Sequence, residues 1–295
     1  MKRVKFTCAV ILFVAIGFTA DGVLSMSDWS QWRGANRDGL SKETGLLESW
    51  PSSGPPKVWS ISSLGSGYGT VSIHAGRIFV QGTQGQNSIL FCLDVSDGKV
   101  IWTQALGRSR DHGRGGGPRG TPVIDGDRVY ALSEDGDLVS FGVQDGSQIW
   151  QRNILEDFGG ENPNWLVSES PLIDGDRLIV TPGGADASVV ALNKMTGATV
   201  WTSRGLSDQA GYSSCIVEEV GGVRLIMAFT SRSAVGIRAV DGAVMWQYKP
   251  VANKTANVAT PVFHDDKVFY SSAYGTGGAL LSLKSQGDRV TAEEV

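Results

Sequence analysis

The chain has 295 residues, a formal net charge of −4, 39 glycines, nine tryptophans and only 19% charged residues. That composition excludes a disordered polymer, and the acidic balance disfavours a nucleic-acid binder. The length admits two average domains or one large all-β domain, a choice that the internal repeat settles in favour of one.

The first twenty residues, MKRVKFTCAVILFVAIGFTA, place Lys2, Arg3 and Lys5 ahead of an uncharged apolar run from Phe6 to Ala20. This is the pattern of a secretory signal peptide, expected over residues 1–25 with cleavage after Ser25. Cys8 lies too early to accept a lipid, and no membrane-spanning segment is expected after removal of the signal. The predicted location is the periplasm or the extracellular space. After removal only Cys92 and Cys215 remain, each inside a strand pattern, and they read as buried free thiols.

Residues 26–56 form a Gly-, Pro- and Ser-rich stretch carrying Trp29, Trp32 and Trp50. Three tryptophans are costly to leave in water, at roughly 1.5–3 kcal/mol per large side chain, so an ordered arm packed on the body is expected. Lys57 to Ser62 reads as an outer strand without a blade of its own in front of it.

From there a skeleton of apolar strand, glycine and a tryptophan four residues later keeps returning. It is clearest in Leu93 to Trp102 (LDVSDGKVIW), and recurs as Gly146/Trp150, Gly197/Trp201 and Gly242/Trp246. A weaker copy, Gly287 to Thr291, has Thr where Trp is expected, and Trp59 precedes the series. Tryptophan spacings of 43, 48, 51 and 45 residues are a period of radially repeated sheets. Each unit opens on a hydroxyl-bearing residue (Thr121-Pro122, Ser170-Pro171, Ser213-Ser214, Thr260-Pro261), and Asp-Gly or Asp-Asp pairs then supply hairpin turns. The predicted fold is an all-β propeller of four-stranded antiparallel blades at about 65–107, 116–155, 165–206, 210–250 and 255–295. Together they make a propeller region over 57–295, read as an incomplete ring of a seven- or eight-bladed parent. Gly98, Gly146, Gly197 and Gly242 are the expected turn glycines, with Trp59, Trp102, Trp150, Trp201 and Trp246 docking between blades.

The first-to-second and third-to-fourth connections are tight and must share one face of the ring. Second-to-third and blade-to-blade connections share the other face, and they are long. Binding sites collect on long loops held by a rigid scaffold, so this is the predicted working face.

At this point CLDVSDGKVIW (92–102), ALNKMTGATVW (191–201) and the Gly146/Trp150 and Gly242/Trp246 copies resemble the tryptophan-docking repeat of quinoprotein dehydrogenases, Ala-x-Asp-x-x-Thr-Gly-Lys-x-x-Trp. WSQWRGANRDGL, ENPNWLVSESPLIDGDRLIVTPGG and ANVATPVFHDDKVFYSSAYG resemble the exported PQQ-like propellers, a group that includes the BamB type of outer-membrane assembly lipoprotein. A quinone-dependent enzyme of this kind implies a vicinal disulfide, a calcium site of Glu, Asn and Asp, and an Asp base. Here no two cysteines are adjacent. Glu169 and Asn257 are calcium-ligand candidates only if PQQ with calcium is bound at all; otherwise no cofactor and no metal is predicted.

Candidate chemistry lies on the long loops. GRSRDHGRGGGPRG (107–120) gathers Arg108, Arg110, His112, Arg114 and Arg119, either to cradle an anion or as a solvated, mobile loop. Asn164, Trp165 and Glu169 stand at the lead-in to the third blade, with Tyr68, Tyr212, Asn253, Lys254 and Asn257 at the corresponding places in others. They converge on a ligand mouth or satisfy loop backbone and plug the channel; both readings stand. The scattered His74, His112 and His264 suggest no zinc site, and no nucleophile motif occurs. The predicted function is a scaffold or binding module of the cell envelope that holds a protein or a small polar ligand. The alternatives are a PQQ-dependent dehydrogenase or a propeller domain whose functional segment lies beyond residue 295.

Overall fold

The computed structural model describes residues 28–295. The expected signal peptide and Cys8 lie outside the described residues. Among the described residues twenty strands assemble into five four-stranded antiparallel sheets. Blade one contains β1 (Ser72–His74), β2 (Arg77–Gln84), β3 (Asn87–Asp94) and β4 (Val100–Arg108). Blade two contains β5 (Val123–Asp125), β6 (Arg128–Leu132), β7 (Asp137–Gly142) and β8 (Gln148–Asn153), followed by the single-turn α1 (Ile154–Phe158). Blade three is β9 (Leu172–Asp174), β10 (Arg177–Val180), β11 (Val190–Asn193) and β12 (Thr199–Thr202). Blade four is β13 (Ile216–Val220), β14 (Val223–Phe229), β15 (Ala234–Arg238) and β16 (Val244–Tyr248). Blade five is β17 (Val262–His264), β18 (Lys267–Ser272), β19 (Gly277–Gln286) and β20 (Arg289–Glu294).

Hydrophobic cores form at the seams between neighbouring sheets. Phe79, Leu90 and Cys92 of blade one pack with Ile124, Val129 and Phe141 of blade two. Equivalent clusters join blades two and three, three and four, and four and five. A middle strand is therefore covered on both faces and reads as a continuous apolar run, as in Ile89 to Leu93, whereas β4 is largely exposed. Cys92 and Cys215 are buried and unpaired in two of these cores.

The docking repeat closes each seam. The indole Nε1 of Trp59 donates to Val95 O at 3.0 Å, Trp102 to Val143 O at 3.2 Å, Trp150 to Lys194 O at 3.0 Å and Trp201 to Ala239 O at 2.9 Å. The accepting carbonyl lies three residues before the turn glycine of the next blade each time. Gly98, at φ 72°, shows why that glycine is needed: a Cβ would stand 2.7 Å from the Trp59 ring. The turns share a register shift in the third-to-fourth ladder of blades one to four.

Three expectations are corrected, and one docking tryptophan differs from the others in detail. The second-to-third connections are not all long, since β2 and β3 of blade one meet in a two-residue turn at 85–86. Trp246 is buried, but its Nε1 has no hydrogen-bond partner and its ring lies edge-on to Tyr270. The physical reason is in blade five, where β19 and β20 run in unbroken register to a tight hairpin at Gln286↔Arg289, so no bulged turn presents a carbonyl. Residues 57–62 enter no strand ladder; Trp59 and Ile61 pack against the blade-one core and the Trp59 indole makes the seam hydrogen bond. Trp50 is 67% exposed, and Leu46 and Leu47 nearby are exposed too, because the arm leaves the body after Gly39.

The first part of the arm instead crosses the inner strands. Trp29 bridges to Ile73 of β1, and Ile124 N of β5 donates to Ser30 O. Trp32 Nε1 donates to Thr260 Oγ1 at 3.0 Å before β17, and Arg37 donates to Ser170 O and Pro171 O before β9. The hydroxyl lead-ins form a second circuit. Thr70 N donates to Thr121 Oγ1, Thr121 N to Ser170 Oγ, and Ser170 N to Ser214 Oγ. A hydroxyl at this position satisfies a buried backbone N–H of the preceding blade, which a strand lead-in cannot do by itself.

Candidate functional site

On the face of the long loops, the segments before blades three, four and five surround a cavity of about 400 Å³. Asn164, Tyr212, Asn253, Lys254 and Asn257 all line it. Trp165 stands against Tyr212 with ring centroids 5.6 Å apart, and its backbone N donates to Tyr212 Oη at 3.3 Å. The Arg114 guanidinium lies 5.2 Å from the Trp165 ring centroid, so the cation, Trp165 and Tyr212 form one rim.

The floor of this cavity is built by two asparagines. Asn253 Oδ1 caps Thr255 N and Ala256 N, while Asn257 Oδ1 accepts from Asn253 N at 3.0 Å. Asn257 Nδ2 donates to Thr230 O at 2.9 Å and Ser231 O at 3.1 Å. Both are buried and hold the 251–257 segment against blade four. Lys254, between them, is exposed.

Other expected site residues lie elsewhere. Tyr68 and Arg119 meet at 5.4 Å beside blades one and two, where Arg119 donates to Gly115 O at 2.6 Å. His112 Nδ1 accepts from Arg114 N at 3.1 Å and shapes its own loop. That loop is anchored: Glu134 accepts from Ser109 Oγ and Arg110 N, and Arg110 pairs with Asp135 at 2.5 Å. Arg110 and Arg119 are thus engaged internally, and Arg114 reaches the rim.

Glu169 lies buried, with Thr181 N donating to its Oε1 at 2.6 Å and Thr181 Oγ1 to its Oε2 at 2.7 Å. Burial raises its pKa to about 7, against the opposing hydrogen bonds and the Arg37 charge. Arg37 itself is lowered to about 10, first by burial, with Cys215 and Glu169 acting the other way. For both groups desolvation outweighs their mutual attraction.

The residues present do not fit a quinone with calcium. Both Glu169 oxygens and the Asn257 amide are already committed to the fold. Cys92 and Cys215 lie in different seams. Among the described residues no group of three His, Cys, Asp or Glu could hold a metal ion.

Several lining residues were not foreseen. Gln209, Ser231 and Arg232 join the wall, with Gln209 Nε2 donating to Glu161 at 2.7 Å. Their signal was available: Ser231-Arg232 occupies in blade four the loop position of Glu134-Asp135 in blade two, so an acidic pair has become a hydroxyl and a cation. Arg37 had no comparable signal.

A family model described as outer membrane protein assembly factor BamB matches residues 51–154 and 92–295. The chain is 30% identical over 249 residues to outer membrane protein assembly factor BamB of Yersinia pestis, covering 78% of this chain and 59% of that protein. It is 24% identical over 198 residues to the protein so named of Moranella endobia (strain PCIT), covering 66% and 46%. The chain therefore spans about half the length of these curated relatives. Among solved structures, BamB from Moraxella catarrhalis superposes with a TM-score of 0.52 at 21% identity, covering 80% of this chain and 63% of that one. Quinohemoprotein alcohol dehydrogenase from Comamonas testosteroni gives 0.58 at 14% identity, covering 86% and 46%. These structural likenesses are of fold.

Proposed function

Because the chain belongs to the PQQ-repeat family described as outer membrane protein assembly factor BamB, we propose that it is a polypeptide-binding scaffold of the cell envelope. Its partner is held at the long-loop face, between the lead-ins to blades three, four and five. The observation that carries this reading is the division of labour in the cavity. Asn253 and Asn257 spend their amides on the fold, while Lys254, Asn164 and the Arg114–Trp165–Tyr212 rim face outward from a rigid floor. An aromatic and an arginine over a fixed backbone are the residue types that dominate protein interfaces.

Given the exported location expected from the sequence of residues 1–25, unfolded outer-membrane polypeptides would be available to this face. Among the described residues no helix is long and apolar enough to cross a membrane. The test is fluorescence anisotropy of a labelled outer-membrane β-barrel polypeptide diluted from urea into the protein. Saturable binding is expected, reduced by Trp165→Ala and by Arg114→Ala. Binding unaffected by both changes, or calcium-dependent alcohol oxidation on adding PQQ, contradicts the proposal.

A further inference from the structure

The cavity continues into a second hollow lined by Gln209, Ser231, Arg232, Asn253 and Lys254. The two share four of these residues, so they form one trough along the lead-ins of blades four and five. Its charge is unlike that of the rest of an acidic chain. Arg232 and Lys254 project into the trough and Arg114 stands at its rim, all exposed. Among the described residues none of the three has an acid within ion-pair distance. Glu161, in the same wall, is engaged by Gln209.

The repeat shows that this is specific to the site. In blade two the corresponding loop carries Asp135, which pairs with Arg110 of the neighbouring segment. Blade four carries Arg232 there and no neighbouring segment supplies a counter-charge. Among the described residues, Ser231 Oγ and Asn162 Oδ1, both buried behind the wall, have no hydrogen-bond partner. Asn162 Nδ2 is fixed by Glu134 O and Asp135 Oδ1, each at 2.9 Å.

We propose that the trough recognises an extended acidic segment of a protein partner, its carboxylates meeting Lys254 and Arg232 and its next acidic residue reaching Arg114 at the rim. This rests on the polypeptide-binding reading of the face and adds the chemistry of what binds. Extended backbone offers alternating N–H and C=O groups to an amide- and hydroxyl-lined wall, and charge complementarity then selects the sequence and speeds encounter.

The test compares a fluorescein-labelled peptide of alternating Asp/Glu and Gly/Ser with its Asn/Gln counterpart of the same length, titrated against the full chain. The acidic peptide is expected to bind at least about tenfold more tightly, and to weaken as ionic strength rises. Lys254→Glu and Arg232→Glu should each reduce its affinity by about tenfold. Arg289→Glu, on the tight hairpin of the opposite face, should leave it unchanged. Thermal unfolding matching the parent shows that the exposed-site variants remain folded. Equal binding of the two peptides, or indifference to both charge reversals, overturns the proposal. If the unfolded outer-membrane polypeptide still binds in a Trp165-dependent way in that case, the face reading stands and only the acidic preference falls.

Discussion

Trp201 and Gly242 meet across the seam between blades three and four. A Cβ on Gly242 would stand 2.6 Å from the Trp201 ring, and the same indole donates to Ala239 O at 2.9 Å. One side chain thus joins two sheets by ring burial and by a hydrogen bond to the turn that the glycine permits. Trp246 has the burial without the hydrogen bond.

That contrast gives the first prediction. Trp201→Phe should destabilise by about 1 kcal/mol beyond the loss of ring area, because the Ala239 carbonyl loses its donor. Trp246→Phe removes an indole N–H that is already unpartnered and should cost less. Trp201→Ala should cost on the order of 3–5 kcal/mol. Urea unfolding of the three variants checks the order, and equal losses for the two Phe variants would contradict the seam assignment.

The hydroxyl circuit gives the second. Ser170 Oγ accepts from Thr121 N at 2.9 Å in a buried setting. Ser170→Ala leaves that N–H without a partner and should cost roughly 1–3 kcal/mol. Amide exchange at Thr121 should accelerate in the variant, and unchanged exchange with unchanged stability would remove the circuit from the account.

The propeller was legible because its repeat is written in residue types whose physics is local. A glycine at positive φ, a ring four residues on and a hydroxyl at the lead-in each mark their place without reference to the rest of the chain. The arm was half legible. Trp29 and Trp32 find partners, yet Trp50 does not, because burial of a given tryptophan depends on surfaces far away in sequence. The same limit hid Arg37, whose carbonyl partners at Ser170 and Pro171 lie more than a hundred positions on. For the site, residue type pointed to Asn253 and Asn257 and left open whether their amides serve a ligand or the fold. Sequence showed polar groups at a mouth; only geometry separated those already satisfied from those facing outward. The helix α1 was missed although Asn153, whose Oδ1 accepts from Leu155 N and Glu156 N, is an ordinary cap signal.

Glu169 gives the third prediction, through linkage. Its folded pKa is raised from 4.5 to about 7, so the folded chain holds this proton where the unfolded chain has released it. Stability from this group is full below about pH 4.5, falls as pH rises toward 7, and levels off above, a change on the order of 3 kcal/mol. Glu169→Gln keeps an acceptor for Thr181 N and places an NH2 donor toward Thr181 Oγ1, so it should flatten the slope over that window. Urea midpoints measured across the range check this, and a slope identical in parent and variant would contradict it.

The central claim is that the long-loop face, and not the tight-hairpin face, holds a polypeptide. The most direct measurement places a photo-crosslinking amino acid in turn at Trp165, Lys254, His264 and Arg289, illuminates cells exporting the protein, and probes for covalent polypeptide adducts. The account predicts adducts from positions 165 and 254 and none from 264 and 289. Adducts confined to 264 and 289, or equal at all four positions, would contradict it.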